Sequence, residues 1–199
     1  MTDQNSGCSC GSADSGSDDF KPAACGSSDC GSAGCCPPKT ARKQLTIDFL
    51  YLDLQVCERC QGADKNLEEA ILEVTPVLKA AGYEVTLNKI NITSKELAHK
   101  HLFVSSPTLR INGKDITIDV KESNCRDCGD LCGDTVDCRV FTYEGVDYDQ
   151  PPKELIINAI LKEIYGAHTE SIAAGDEYTL PENLRLFFEG QDLKSNTNI

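Results

Sequence analysis

Apolar residues crowd the stretch from Leu45 to Leu54, LTIDFLYLDL, which holds no turn former and predicts a buried strand that opens the folded domain. Past Cys60, Leu67, Ile71, Val74 and Leu78 recur at helical spacing and Gly82 marks a stop, while Pro76 predicts a kink or an end near the third-last turn. The alternation in YEVTLNKINI, residues 83–92, predicts a second strand. Thr93-Ser94-Lys95-Glu96 has the form of a capping box and predicts a short helix over SKELAHKHL. In VSSPTLRINGKDITIDV two β-prone runs flank Asn112-Gly113, a dipeptide suited to the positive φ angles of a tight hairpin. RVFTYEGVDY predicts a strand or small hairpin, and PPKELIINAILKEIYG a helix opened by prolines. Beyond Gly166 the pattern weakens, with LRLFF at 184–188 as a short apolar cluster in acidic surroundings.

Composition divides the chain. Residues 1–44 contain no Leu, Ile or Val and are dominated by Gly, Ser, Asp and Ala, too little apolar surface to offset the entropy of ordering. The expected organisation is a disordered Cys/Gly/Ser-rich tail over 1–44, one domain over 45–168 with a Cys-rich loop at 121–138, and an acidic, loosely ordered tail over 169–199. A net charge of −13, without a clustered basic stripe, argues against a nucleic-acid partner. No run approaches the roughly 18 apolar residues of a membrane span, and the N-terminus MTDQNSGCSCGSADSGSDD lacks the basic and apolar regions of an export signal. A cytoplasmic protein is therefore expected. Phosphate-binding, dinucleotide-binding, zincin and serine-hydrolase motifs are missing, which leaves thiol chemistry.

Twelve cysteines in such a chain point to thiols for redox, metal or metalloid work, because a reducing cytosol disfavours structural disulfides. Six lie in the tail, Cys8, Cys10, Cys25, Cys30, Cys35 and Cys36. The vicinal pair Cys35-Cys36 suits capture of thiophilic ions such as arsenite or mercury, since a disulfide between neighbours strains the peptide. Cys57-Glu58-Arg59-Cys60 sits between the first strand and the long helix. There the helix N-terminus stabilises a thiolate, with Cys57 better positioned than Cys60. Cys125-x2-Cys128-x3-Cys132-x5-Cys138 gathers four more thiols with Gly129 and Gly133 between them. Four thiolates so spaced suit tetrahedral zinc or a trigonal metalloid, and iron–sulfur ligation less well. The neighbouring Asp127, Asp130, Asp134 and Asp137 read as solvated charges.

The order of strand, CxxC at a helix start, strand, helix, Ser106-Pro107-Thr108, hairpin and closing helix resembles the thioredoxin-like α/β fold, βαβαββα, over residues 45–166, here with a Cys-rich insertion. More specifically, YLDLQVCERC, SSPTLRINGKDI and NCRDCGDLCGDTVDCRVFTYEGVDYDQPPKEL resemble a prokaryotic thioredoxin-like family of unknown function. The resemblance implies Cys57 as attacking nucleophile, Cys60 as resolving thiol and Pro107 as the cis-proline lying against them. If that topology holds, the Pro107 strand runs antiparallel to the first strand and the Cys125–Cys138 loop emerges above the CxxC pair. The leading expectation is then a thiol–disulfide oxidoreductase acting on a protein disulfide or redox partner, with the loop thiols recharging or tuning the pair. The alternatives are a soft-metal or metalloid chaperone taking zinc, arsenite or mercury, and a non-catalytic interaction domain.

Overall fold

A computed structural model describes residues 42–133, 135–166 and 178–197. The tail cysteines, Cys35 and Cys36 among them, lie outside the described residues. The architecture is mixed α/β, with two sheets and five helices among those residues.

The central sheet has the order β2-β1-β3-β4, built from β1 (Lys43–Tyr51), β2 (Tyr83–Asn91), β3 (Thr108–Ile111) and β4 (Lys114–Asp115). β1 opens at Lys43 rather than Leu45. It pairs in parallel with β2, from Lys43 opposite Tyr83 to Tyr51 opposite Asn91. On its other side it pairs antiparallel with β3, from Ile47 opposite Ile111 to Leu50 opposite Thr108. The β3–β4 turn at Asn112 and Gly113 has φ of 50° and 80°, the left-handed values that this dipeptide tolerates.

Helix α1 (Glu58–Ala80) crosses between the parallel strands. Ala63, Leu67, Ala70, Val74 and Leu78 form its buried stripe, packed with Leu45, Ile47 and Phe49 of β1 and with Ile156 and Ile160 of α4 (Lys153–Tyr165). Contrary to the sequence expectation, the helix runs through Pro76 to Ala80. Pro76 lies on an exposed turn, where the carbonyl it fails to serve can bond water, and the Thr75 hydroxyl donates to the Ile71 carbonyl at 2.6 Å. The short helix α2 (Lys95–Lys100) is capped by Ser94, whose Oγ accepts from Leu97 N–H at 3.3 Å, one residue later than the capping box predicts.

Two regions depart from the sequence reading. The stretch at 121–138 is not an irregular loop but β5 (Lys121–Asn124), α3 (Arg126–Cys132) and the start of β6 (Asp137–Tyr143). β5, β6 and β7 (Val146–Tyr148) form a second antiparallel sheet, bonded to the first where Arg139 N–H donates to the Ser106 carbonyl at 2.8 Å. In place of a loosely ordered C-terminal tail, the described part carries α5 (Glu182–Thr197), whose Leu184, Phe187 and Phe188 are buried. Their burial seats a helix whose remaining positions are largely polar. These three side chains share a second core with Leu52, Phe103 and six cysteines. No described helix is long and apolar enough to cross a membrane.

Candidate thiol centre

Cys57 occupies the N-cap of α1 with extended backbone angles, and its side chain makes no capping bond. The preceding turn is set by Asp53, whose Oδ1 accepts from the amides of Gln55 at 2.8 Å and Val56 at 2.6 Å. Cys125 occupies the same position at the start of α3, again extended and with no capping bond. Its own amide is tied to the Val136 carbonyl at 2.8 Å.

These two helix starts meet. Cys57 Sγ lies 4.0 Å from Cys125 Sγ and 3.9 Å from Cys128 Sγ. The three sulfurs all fall within 4.8 Å of one another and could hold a metal ion. Four sulfurs bonded at about 2.3 Å to a tetrahedral ion stand about 3.8 Å apart, so the observed spacing needs little adjustment. Cys138 Sγ reaches Cys128 at 3.3 Å but stands outside the trio. Cys60 Sγ is 3.3 Å from Ser106 Oγ, which itself accepts from Leu52 N–H at 3.1 Å. Cys132 turns away, with Sγ 3.7 Å from the Gly129 carbonyl.

The cluster takes Cys125 and Cys128 from the Cys-rich segment and adds Cys57 from the CxxC pair. Cys138 flanks this trio, 3.3 Å from Cys128 and also bonded to Cys57 and Cys125, while Cys132 turns to the Gly129 carbonyl. Pro107 follows a cis Ser106–Pro107 bond at the start of β3, and its neighbour Ser106 supplies the hydroxyl beside Cys60.

All six described cysteines are free thiols, and none is more than 3% exposed. The clustered thiols do not share one acidity, and Cys57 is the most strongly lowered. Hydrogen bonds from the Cys125 thiol first, then from Cys128, Cys138 and Cys60, hold its pKa far below the ordinary thiol value and outweigh burial. Cys125 is also lowered, chiefly by Cys128 and Cys138. Cys60 is pushed up by its bond to Cys57 and by burial. Cys128 and Cys138 are pushed up as well, in each case first by their bond to Cys125.

Two groups within and beside the cysteine segments dock them together. Arg59 donates to the carbonyls of Ser123 at 3.3 Å, Asn124 at 2.9 Å and Cys138 at 3.4 Å, and pairs with Asp149 at 3.0 Å. Asp127 Oδ2 accepts from the Glu58 amide at 2.7 Å, so a residue of α3 satisfies a first-turn donor of α1. By local sequence alone Asp127 reads as a solvated charge. The roles of Arg59 and Asp127 depend on partners 64 or more positions away, and no local pattern announces them. The aromatic cover from α5 was visible only as LRLFF, without a destination.

A polar depression of about 530 Å³ reaches the cluster at Cys125 and is lined also by Asn124, Gly129, Asp130 and Lys194. It offers an ion a path to one edge of an otherwise enclosed site.

The family model described as Domain of unknown function (DUF2703) matches residues 45–160, which contain every cysteine of the cluster. An uncharacterized protein of Archaeoglobus fulgidus is 29% identical over 117 residues, covering 57% of this chain and 79% of the relative. No solved structure matches the chain.

Proposed function

We propose, for a chain that belongs to the family of the domain of unknown function DUF2703, that the domain binds a soft metal or metalloid ion through the thiolates of Cys57, Cys125 and Cys128. The observation that carries this reading is the convergence of three buried sulfurs, from segments 68 and 71 positions apart, within 4.8 Å of one another. Soft thiolate donors select soft ions, and each ligand must shed its proton to bind. Full burial also argues for binding over attack on a large substrate. A nucleophile that opens protein disulfides must reach them, whereas Cys57 is 0% exposed beneath α3 and α5.

A second reading keeps the thioredoxin-like fold and dithiol exchange. The parallel β1-α1-β2 unit, the antiparallel β3-β4 hairpin and the CxxC at the start of α1 favour that fold. The 4.0 Å between Cys57 and Cys125 favours transfer of a disulfide from the pair to the loop.

Reduced, anaerobically purified protein carrying single substitutions separates the two. Cys125→Ser and Cys128→Ser should each weaken soft-ion affinity by more than about 100-fold, beyond the range of an outer-shell change, while Cys60→Ala stays within a few-fold. Disulfide-reductase activity that vanishes in Cys57→Ser and in Cys60→Ala, in a protein that retains no soft ion, would instead select the redox reading.

A further inference from the structure

The site's net charge carries the identity of the ion further. Resting on the thiolate-trio reading above, we propose that the preferred ligand is a trivalent thiophilic metalloid in the oxidation state of arsenite, bound by Cys57, Cys125 and Cys128 as a neutral three-sulfur complex.

Three observations support this. The first is number. Among the described residues, Cys57, Cys125 and Cys128 lie mutually within 4.8 Å, and Cys138, 3.3 Å from Cys128 and also bonded to Cys57 and Cys125, flanks that group without completing it. Trivalent arsenic takes three sulfurs and keeps a lone pair, whereas zinc seeks a fourth ligand.

The second is charge. The partners of the trio are other sulfurs and one backbone amide, and no lysine or arginine side chain among the described residues bonds to any of the three. Three thiolates with a trivalent centre sum to zero. With zinc they leave one negative charge, and adding Cys138 leaves two. The N-termini of α1 and of the shorter α3 each offset at most about half a charge.

The third is burial. The trio is at most 3% exposed, and Leu52, Phe103, Leu184, Phe187 and Phe188 belong to the same core. A net charge there lacks water to solvate it, while a neutral complex does not need it. Arsenite at neutral pH is itself the uncharged As(OH)3, which suits entry through the polar depression at Cys125.

The binding step balances without electron transfer. As(OH)3, three cysteine sulfurs and three protons, drawn from the thiols or from solvent where a sulfur is already deprotonated, give three As–S bonds and three waters. Each hydroxide that leaves takes up one of these protons, and arsenic remains trivalent.

The test uses the full-length chain with the six tail cysteines changed to serine, reduced and anaerobic, titrated with sodium arsenite and with zinc chloride separately and in competition. Bound arsenic and zinc are measured by mass spectrometry of the protein and by elemental analysis. Protected thiols are mapped by alkylation and peptide mass. The expected result is one arsenic per chain that protects Cys57, Cys125 and Cys128 from alkylation and leaves Cys132 reactive. Equimolar zinc should not displace it. Cys132→Ser should keep that stoichiometry, and Cys125→Ser should weaken arsenite binding by more than about 100-fold with circular dichroism unchanged. If Cys125→Ser unfolds, the protection map on the parent chain decides. Zinc displacing arsenite, or arsenite protecting Cys57 and Cys60 alone, overturns the metalloid assignment while leaving a soft-ion site standing. Binding of neither ion overturns the soft-ion reading itself.

Discussion

Arg59 spans the gap between the two cysteine segments. Its guanidinium reaches the carbonyls of Ser123 and Asn124, just before Cys125, and that of Cys138 itself. The planar fork with five donors suits several carbonyls at once, and lysine's single ammonium does not. The x-x dipeptide of the CxxC thus docks the second segment onto the first. Because partners that orient ligands typically change metal affinity 10- to 100-fold, Arg59→Ala should weaken soft-ion binding by about that factor, with the thiol count unchanged. Arg59→Lys should recover little of it. Isothermal titration of the two variants checks this, and an Arg59→Ala protein binding like the parent would remove Arg59 from the account. The pair itself was legible in the sequence, since CxxC after an apolar strand is a local pattern. Arg59's work was not, because its acceptors are main-chain carbonyls, which any residue offers.

At the scale of elements, α5 decides whether the thiol core is covered. Its crossing over α3 is tight at Gly190, where a β-carbon would lie 2.4 Å from the Cys132 carbonyl oxygen and 2.7 Å from Cys132 Cβ. Mid-helix Gly→Ala ordinarily gains about 0.5–1 kcal/mol. Here the obstacle includes backbone, which cannot rotate aside, and separation of α5 from α3 would uncover Leu184, Phe187 and Phe188, each worth about 1.5–3 kcal/mol of burial. The loss outweighs the gain. Gly190→Ala should therefore lower the urea midpoint and speed alkylation of Cys128 and Cys132, and a midpoint above that of the parent would contradict the tight crossing. The periodicity of α1 and α4 was readable because each has a repeating apolar stripe. α5 offers only a short cluster, and what covers it is a surface made by another part of the chain.

For the molecule as a whole, the joint between the two sheets is a buried charge. Arg139 is 0% exposed and holds both carboxylate oxygens of Asp115, at 2.8 and 2.9 Å, together with the hydroxyls of Thr108 at 3.0 Å and Thr117 at 2.7 Å. β6 is in this way tied to β3 and to the end of the β3–β4 hairpin, and Cys138 precedes Arg139 directly. Removing one partner of a buried pair costs about 3–5 kcal/mol. Asp115 retains 29% of its side-chain exposure and can partly rehydrate, which puts Arg139→Met at the lower end, near about 3 kcal/mol. The double change Arg139→Met with Asp115→Leu should recover part of that loss, because no charge is then stranded. A double-mutant cycle by urea denaturation reads the coupling, and strictly additive effects would refute it.

Local pattern dictates the alternation that makes β1 and β2, the stripes of α1 and α4, the Asn112-Gly113 turn and the CxxC at a helix start. All of these are set by neighbours within a few positions, so period, propensity and turn chemistry express them. Long-range packing brings Cys57 together with Cys125 and Cys128, turns Cys132 to Gly129 and lays α5 over the cluster. Sulfurs 71 positions apart meet at 3.9 Å because the antiparallel return of β3 and the Arg59 and Arg139 contacts carry one segment onto the other. Spacing along the chain ranks cysteines by proximity in sequence, whereas an ion responds only to proximity in space.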